Sequence, residues 1–490
     1  MHVIQIAAEL APICKVGGLA DVVQGLSREL VTRDHLVEII LPKYKHMRYD
    51  LITELRKSYE NLIVNWNQRK ISCIVYMGYV DELTCFFIEP QSEDNFFNRE
   101  NCYGEPDDAE RFAFFSKVSM EFLCKSNRHP EIIHCHDWHT GLIPVFKSEV
   151  YQHLGLRDSR TCYTIHNFKH QGICGQEILC ATDLNRPEYF LSLDRLGDNR
   201  HKTALNLMKG GIVYSEFVTT VSPTHAIEAR NQNLGFGLEK TLQTHQDKFK
   251  GVLNGIDCKV WNPREDSFIA KNYSVQTIER KSHNKRALRE RLHLEDSKRP
   301  IIAYIGRLDT QKGLELVRHS IFYCINNKAQ FVLLGTSPDP SINDDFDELK
   351  ALVNEDLNCH LEIRFDEELA HQMFAGADML LVPSRFEPCG LTQLIAMRYG
   401  TIPVVRSVGG LADTVFDKDN SEKDLDMRNG YVFKNDDVIA VERALDRAIA
   451  CFDTAPKDFH SLIVTAMQAD NSWSKSGQCY IDIYKHISSG

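Results

Sequence analysis

Several features that define common classes of protein are missing from this chain of 490 residues. Acidic residues outnumber basic ones by 68 to 57, so the net charge of -11 lacks the basic surplus of a general nucleic-acid-binding protein. No run of the sequence approaches the roughly 18 apolar residues that a membrane span requires. We therefore expect no nucleic acid and no membrane as a partner.

Paired cysteine motifs and a signal peptide are absent as well. The 15 cysteines are scattered without Cys-x-x-Cys spacing, which favours reduced thiols buried as small hydrophobes. The chain begins with an apolar stretch that has no basic region and stops at Glu9, which predicts a first β-strand rather than a signal peptide. These observations favour a cytoplasmic protein.

What the chain does contain is two sets of alternating strand and helix patterns. The first set has predicted strands at residues 3–8, 37–41, 71–76, 85–88, 132–136, 160–165 and 217–221. The second set has them at residues 301–306, 331–335, 360–365, 379–383 and 401–405. Because strands that alternate with helices are typical of doubly wound parallel sheets, we predict an α/β protein with two such domains.

A polar stretch at residues 262–285 has few strand signals and separates the two sets. We place the first domain at residues 1–250 and the second at 251–465, followed by a terminal helix at 466–490. The apolar residues of that helix share one face, which we expect to dock on the first domain. They are Tyr480, Ile483, Tyr484 and Ile487.

The most informative segment is residues 383–393, Pro-Ser-Arg-Phe-Glu-Pro-Cys-Gly-Leu-Thr-Gln. It follows a predicted buried strand and precedes a helical pattern, so it lies where ligands bind at the carboxyl ends of parallel strands. A carboxylate there, Glu387, beside the amides of a helix start suits a site for an anion and for developing positive charge. The alternative is a capping loop whose Glu387 only favours the helix dipole.

Two glycine loops follow predicted strands. The first, Lys15-Val16-Gly17-Gly18, combines a cation with unobstructed backbone amides, as phosphate binding requires. A simple strand-to-helix turn explains its spacing equally well. Residues 17–23 recur at 409–415 with five identical residues in a row, which favours one ligand-facing glycine loop in each domain.

Two cations follow the first strand of the second set. Arg307 and Lys312 lie between that strand and a helical pattern, where they could neutralise a diphosphate. The alternative is a solvated surface pair.

Histidines mark the ends of two strands in the first set. His134, His136 and Asp137 resemble metal ligands, but no second ligand group follows at a typical spacing. We interpret this segment as a polar loop that contacts a sugar and predict no metal site. His166 and Asn167 end the next strand, where His166 could also be a structural residue.

Taken together, these motifs resemble bacterial glycogen synthases and plant starch synthases. The resemblance runs from residue 3 to about residue 475, and the motifs occur in the order found in that family. They are Lys15-x-Gly-Gly-Leu-Ala-Asp21, His136-Asp137-Trp138-His139, His166-Asn167, Asn254-Gly255-Ile256-Asp257, the loop from Gly306 to Gly313 and the segment from Ser384 to Leu391.

The resemblance implies a GT-B fold, in which two Rossmann-like domains face each other across a cleft and a C-terminal helix crosses back. It also implies a retaining α-1,4-glucan glucosyltransferase. Such an enzyme transfers glucose from ADP-glucose or UDP-glucose to the non-reducing end of glycogen or another α-1,4-glucan. No cofactor is implied, and the sequence leaves open whether the chain forms a homo-oligomer.

The resemblance further implies roles for individual residues. Arg307 and Lys312 would hold the leaving diphosphate, Glu387 would lie beside the donor sugar, and the carbonyl of His166 would face the anomeric carbon. The implied catalytic residues are Glu387, His166, Arg307, Lys312 and Asp137. The implied donor-binding residues are Lys15, Gly17, Gly18, Asp21, Asn167, Asn254, Phe365, Cys389, Gly390, Leu391 and Thr392.

Two positions depart from the family pattern. Val16 replaces a common threonine, and Phe365 replaces a tyrosine that often stacks on adenine, which leaves the choice between ADP-glucose and UDP-glucose open. Retention through a front-face step and double displacement through Glu387 also remain alternatives.

Three other functions remain open from the sequence. One is a retaining transferase that makes a small sucrose- or trehalose-type glucoside. The others are an inactive glucan-binding protein and a metal hydrolase built on residues 134–139.

Overall fold

A computed structural model describes residues 1–489 of the chain. Its contacts divide the protein into two compact units. The N-terminal unit comprises Met1–Gly255 together with the chain from Trp473 onward, and the C-terminal unit comprises Ile256–Ser472. The chain passes from one unit to the other after Gly255 and again after Ser472. Each of these positions lies a few residues beyond the domain boundary that we predicted.

The N-terminal unit is built on a nine-stranded sheet of order β11-β10-β7-β6-β1-β2-β5-β4-β3. A separate two-stranded sheet pairs β8 with β9. The strands are β1 (His2–Ile6), β2 (Leu36–Pro42), β3 (Thr53–Trp66), β4 (Arg69–Val80), β5 (Leu83–Gln91), β6 (Ile132–His136), β7 (Arg160–Ile165), β8 (Ile173–Cys174), β9 (Leu205–Asn206), β10 (Phe217–Thr220) and β11 (Phe249–Gly251).

Helices connect the parallel strands of this sheet. They are α1 (Gly18–Thr32), α2 (Asp108–Lys125), α3 (Leu142–Glu149), α4 (Glu177–Ala181), α5 (Pro187–Phe190), α6 (Leu207–Tyr214), α7 (Pro223–Asn231) and α8 (Glu239–Thr244). The doubly wound architecture predicted from the alternation of strands and helices is confirmed. The central strand β6 is buried along its whole length, as a strand covered on both faces must be.

One edge of the first sheet departs from the parallel arrangement of the other strands. Strand β4 pairs antiparallel with both β3 and β5. The cause is local, because two-residue turns with positive φ at both positions, Asn67-Gln68 and Asp81-Glu82, join these strands as hairpins. Strand β3 escaped prediction because its first nine residues are almost all exposed and include four charged side chains, so apolar alternation is confined to its end.

The C-terminal unit contains a six-stranded, entirely parallel sheet of order β14-β13-β12-β15-β16-β17. Its strands are β12 (Ile301–Ile305), β13 (Gln330–Gly335), β14 (Cys359–Ile363), β15 (Met379–Val382), β16 (Ile402–Arg406) and β17 (Tyr431–Phe433). Its helices are α9 (Lys281–Arg291), α10 (Leu314–Asn326), α11 (Pro340–Val353), α12 (Glu367–Gly376), α13 (Thr392–Arg398), α14 (Gly409–Thr414), α15 (Val438–Thr454) and α16 (Pro456–Gln468).

Each sheet has one point where the direction of winding reverses. In the C-terminal unit it lies between β12 and β15, and in the N-terminal unit it lies between β1 and β6. The loops that leave adjacent strands at such a point diverge to opposite faces of the sheet, which opens a crevice at the carboxyl ends of the strands. Both crevices receive residues singled out in the sequence.

The last helix, α17 (Trp473–Ser488), belongs to the N-terminal unit. Its predicted apolar face is buried, and Tyr480 and Tyr484 are fully enclosed in a cluster with residues of β1 and α1. A side chain at Gly25 of α1 would collide with the indole of Trp473, so this glycine allows the two helices to approach. Within residues 1–489, no helix is long and apolar enough to cross a membrane.

Candidate active site

The crevice of the C-terminal unit contains a lysine and a glutamate from different loops. Lys312 comes from the loop after β12 and Glu387 from the loop after β15. The Lys312 Nζ donates to the Glu387 Oε2 at 2.5 Å, and the Ser384 hydroxyl donates to the same oxygen at 2.8 Å. The side chain of Glu387 is 7% exposed and that of Lys312 is 20% exposed, so the pair is largely withdrawn from water.

The backbone fixes the spacing of these two loops. The Arg385 amide donates to the Gln311 carbonyl at 2.8 Å. Gly313 has a φ of 71°, and a Cβ at that position would lie 2.3 Å from the Pro383 carbonyl oxygen. Only glycine permits both this conformation and this approach, which explains why a glycine follows Lys312.

The two arginines of these loops have different surroundings. Arg385 lies 3.2 Å from Glu315 and 3.3 Å from Asp436. Arg307 is exposed, its carbonyl accepts from the Tyr304 hydroxyl at 2.8 Å, and its guanidinium forms no ion pair with any residue from 1 to 489. Arg307 therefore keeps its guanidinium available for an anion.

The segment after Glu387 leads into α13 through a tight turn. Gly390 has a φ of 73°, and the side-chain amide of Gln393 donates to its carbonyl at 2.8 Å. Leu391 precedes the helix without a side-chain cap, and α13 begins at Thr392. Cys389 is 5% exposed and contributes to the wall of this turn.

The second copy of the glycine repeat supports this turn from behind. The Gly410 amide donates to the Glu387 carbonyl at 3.1 Å. A Cβ on Gly410 would lie 1.9 Å from the Cys389 carbonyl oxygen, so packing within the protein already requires this glycine. Its close contact is with the loop of Glu387.

Phe365 follows β14 and is 80% exposed. The other exposed phenylalanines, Phe268 and Phe322, are each only 42% exposed. The ring face of Phe365 is open to a planar ligand.

In the N-terminal unit, the first glycine loop is organised by Glu9. The Oε2 of Glu9 accepts from the amides of Val16 at 2.6 Å and Gly17 at 2.8 Å, and its Oε1 accepts from the Tyr103 hydroxyl at 2.6 Å. Burial raises the pKa of the Glu9 carboxyl, and these donors oppose that rise. Two of the amides that we assigned to a phosphate therefore already have an acceptor within the protein.

The rest of the loop remains accessible. Lys15 is exposed and pairs with Asp21 of α1 at 2.8 Å. A Cβ on Gly17 would meet no atom within 4 Å. Since the protein's own packing does not require this glycine, the space beside it is available to a ligand.

Asp137 lies at the carboxyl end of β6 in a strained backbone conformation, with φ 56° and ψ -178°. Such conformations are nearly restricted to glycine and cost on the order of 1–3 kcal/mol, and they concentrate at functional sites. Two hydrogen bonds hold the strained residue, one from its amide to Thr164 at 2.9 Å and one from the His166 amide to its Oδ1 at 2.7 Å.

Burial also perturbs the charge of Asp137. It raises the pKa of the carboxyl from 3.8 to about 7, although hydrogen bonds from the His166 and Asn167 amides lower it. The pKa of His166 falls to about 3 because that imidazole is buried as well. At neutral pH the site therefore holds a neutral imidazole beside an aspartate that is close to its titration point.

Hydrogen bonds occupy the ring nitrogens of His134 and His136. The Nδ1 of His134 lies 2.7 Å from the Tyr484 hydroxyl, and its Nε2 lies 2.6 Å from the Thr164 hydroxyl. The Nε2 of His136 lies 2.7 Å from the Gln5 amide oxygen, and its Nδ1 lies 3.1 Å from the Nε2 of His166. Partners within the protein therefore engage all four ring nitrogens of His134 and His136, which leaves none of them free for a metal ion.

Asn254 completes the predicted set in this unit. It is 7% exposed, and its side-chain oxygen has no hydrogen-bond partner among residues 1–489. A buried amide oxygen without a donor costs about 1–3 kcal/mol. A ligand hydroxyl would satisfy it.

Several contributors were missed from the sequence. Glu9, Tyr103 and Ser384 hold the two loops, yet none of them was assigned a role. Glu9 offered one signal, since this acid interrupts the apolar stretch that runs from the first strand towards the glycine loop. Tyr103 offered none, because it reaches the site from a distant irregular segment.

Two family models match the chain. The starch synthase catalytic domain matches residues 2–244, and the model named glycosyl transferases group 1 matches residues 286–457. The two matched stretches lie in the N-terminal and the C-terminal unit, respectively.

Known proteins resemble the chain over its whole length. It is 57% identical over 487 residues to glycogen synthase 2 of Methylococcus capsulatus and 56% identical over 488 residues to glycogen synthase 1 of a Synechococcus species, each alignment covering 99% of both chains. Its structure matches the catalytic domain of starch synthase IV from Arabidopsis thaliana, solved bound to ADP and acarbose. That match has a TM-score of 0.97 and 40% identity, and it covers 100% of this chain and 99% of the other.

Two doubly wound units with charged loops at their switch points define a glycosyltransferase of the GT-B fold. The chain belongs to the family of bacterial glycogen synthases and plant starch synthases. The family and the fold class predicted from the sequence motifs are thereby confirmed.

Proposed function

We propose that this protein is a glycogen synthase that transfers glucose from ADP-glucose to the non-reducing end of an α-1,4-glucan, with retention of configuration. One observation carries the proposal. Lys312 and Glu387 place a cation and a carboxylate 2.5 Å apart at the switch point of the C-terminal unit. A sugar that loses its diphosphate needs both charges, one for the leaving group and one for the oxocarbenium-like sugar.

The C-terminal unit would bind the leaving diphosphate. Lys312 is a point charge within reach of a phosphate oxygen, and Arg307 offers a guanidinium without an ion-pair partner among the described residues. A cation that binds more tightly as the charge develops supplies roughly 3 kcal/mol, or about a hundredfold in rate. The turn of Cys389, Gly390, Leu391 and Thr392 would contact the donor beside them.

Glu387 would stabilise the positive charge on the sugar. Its Oε2 is held by Lys312 and Ser384, which fixes the carboxylate without the freedom of a solvated side chain. Only Oε2 is engaged in this way, and we propose a front-face step rather than double displacement through the other oxygen of Glu387. Phe365 would stack on the base, and stacking needs only an exposed aromatic face.

The N-terminal unit would contact the donor through two groups of residues. Lys15, Gly17, Gly18 and Asp21 would approach its phosphates, since the Gly17 position leaves open space. Asp137, His166, Asn167 and Asn254 would contact the glucosyl unit. The His166 carbonyl would face the anomeric carbon, and the unsatisfied Asn254 oxygen would accept from a sugar hydroxyl.

Support for the donor and the acceptor comes from the starch synthase IV structure, which was solved bound to ADP and acarbose. That protein matches this chain over its full length, so we expect a similar nucleotide and a similar glucan here. We propose ADP-glucose rather than UDP-glucose as the donor.

The test is a transfer assay with glycogen and either ADP-glucose or UDP-glucose in the presence of EDTA. Nucleoside diphosphate release and glucan growth are measured for the wild type, for Glu387→Gln and for Glu355→Gln, an exposed glutamate of the same unit. We expect growth with ADP-glucose that is lost only in Glu387→Gln. Diphosphate release without glucan growth would indicate a small acceptor, and inactivity with both donors would overturn the proposal.

A further inference from the structure

Two cysteines that the transferase reaction does not use lie side by side in the N-terminal unit. Cys14 directly precedes Lys15, and Cys102 belongs to the irregular segment before α2. Their sulfur atoms are 2.6 Å apart, and each residue is 4% exposed. Since a covalent S–S bond is about 2.05 Å long, a small approach of the side chains would join them.

A second link already connects the same two chain segments. The carboxylate of Glu9 accepts from the Tyr103 hydroxyl, next to Cys102, and from the Val16 and Gly17 amides, close to Cys14. The backbones on both sides of the cysteine pair are therefore held in place. A disulfide could form here without a rearrangement of the fold.

The surroundings make the two thiols unequal. A hydrogen bond from Cys14 and then one from His46, whose Nε2 lies 3.2 Å from the sulfur, lower the pKa of Cys102. The pKa of Cys14 is raised, first by its hydrogen bond to Cys102 and then by burial. Because the thiolate is the nucleophile, Cys102 would react first and Cys14 would resolve the product.

We propose that Cys14 and Cys102 form a reversible redox pair that a small hydroperoxide closes to a disulfide, and that this bond restrains the loop of Lys15. The Cys102 thiolate attacks a peroxide oxygen, which yields a sulfenic acid and hydroxide. The Cys14 sulfur then attacks the Cys102 sulfur, forms the S–S bond and displaces the second oxygen as water. Two thiols are oxidised, and one hydrogen peroxide is reduced to two waters.

Closure would act on the loop that follows Cys14. The disulfide would tie this loop to the segment of Cys102 while the Val16 and Gly17 amides still donate to Glu9. A loop held this way could not adjust to a phosphate, so donor turnover should fall. This last step rests on the proposed role of Lys15 in donor binding.

A metal ion is the competing explanation, because the His46 imidazole adjoins the two sulfurs. Zn–S bonds of about 2.3 Å at the tetrahedral angle would hold two thiolates about 3.8 Å apart. The observed 2.6 Å is too short for that arrangement and fits a dithiol ready to close.

The test treats the reduced protein with hydrogen peroxide, alkylates the remaining thiols and maps the peptides by mass spectrometry. We expect a linked Cys14–Cys102 peptide that a thiol reductant removes. Turnover of the donor should fall about tenfold or more and recover on reduction, since displacements of about 1 Å near reacting groups can cost on the order of a hundredfold. Cys14→Ser should lose both effects, whereas Cys180→Ser, at the exposed cysteine, should keep them.

Two results would overturn the redox pair itself. One is oxidation of Cys180 without any linked peptide, and the other is a bound metal ion that protects both thiols from alkylation until a chelator removes it. A linked peptide with unchanged turnover would instead overturn the restraint of the Lys15 loop. If the reduced protein transferred no glucose, the proposed function would fail, whereas the peptide map would still decide the redox pair.

Discussion

Replacing Asp137 with asparagine should make the protein more stable above neutral pH and at the same time less active. Burial raises the pKa of this carboxyl from 3.8 to about 7, and the hydrogen bonds it accepts are already included in that value. A rise of this size corresponds to about 4 kcal/mol of preference for the neutral form. Asparagine is neutral at every pH and can accept the same hydrogen bond from His166.

The sign of the change in stability follows from the linkage between proton binding and folding. A pKa that is higher in the folded state contributes stability that is complete below pH 3.8 and is lost as the pH rises through about 7. Asparagine retains that contribution, so the variant should exceed the wild type by about 4 kcal/mol at pH 8 and by about 1.5 kcal/mol at pH 5. For a unit of this size, the larger difference corresponds to about 8 °C in Tm.

Thermal unfolding at pH 5 and pH 8 measures both differences, and the transfer assay measures activity. We expect kcat to fall on the order of a hundredfold, as when one electrostatic contact with a transition state is removed. The control is Asp158→Asn, an exposed aspartate of the same unit, which should change neither quantity. A variant that is no more stable than the wild type at pH 8, or whose gain in stability does not depend on pH, would show that the pKa of Asp137 is not raised in the folded protein.

Three further predictions concern the two glycine loops and the donor site. Lys312→Met should lower kcat about a hundredfold with a smaller change in KM, and Lys312→Arg should recover part of the loss. A normal kcat in Lys312→Met would show that Lys312 does not stabilise the transition state. Gly17→Ala should keep the wild-type Tm, because its Cβ meets no protein atom within 4 Å, and should raise the KM for the donor. Gly410→Ala should lower Tm and activity together, because its Cβ would lie 1.9 Å from the Cys389 carbonyl oxygen. Phe365→Ala should leave Tm unchanged, because the residue is 80% exposed. It should weaken ADP binding by about 5- to 150-fold, which is the effect of losing the stacking of one base, and an unchanged affinity would rule out stacking.

Patterns that the chain carries locally could be predicted from the sequence. The run Met379–Val382 predicts a buried strand, and the polar residues after it predict a loop at the carboxyl end of a sheet. Lys312 and Glu387 were singled out because each follows such a strand. That they would form a pair could not be predicted, since 75 residues separate them along the chain.

Other features had no local signal. Strand β3 lies at the edge of the sheet, and its first nine residues are almost all exposed, so buried and exposed positions alternate only from Leu62 to Trp66. The strain at Asp137 and the rise in its pKa arise from atoms that surround it in space rather than from its sequence neighbours. The two copies of the glycine repeat illustrate the same limit, because the same residues face open space at Gly17 and a carbonyl oxygen at Gly410.

The two doubly wound domains, the order of the loops and the types of side chain in each loop can all be read from the amino-acid sequence. These depend on hydrophobic periodicity and on glycine positions, which are properties of short segments. Which of those groups meet, which are buried and which already have a hydrogen-bond partner depends on the folded chain. Glu9, for example, accepts from the amides of Val16 and Gly17. The physical reason is that hydrogen bonds and desolvation act through space over a few ångströms, between residues that the chain keeps far apart.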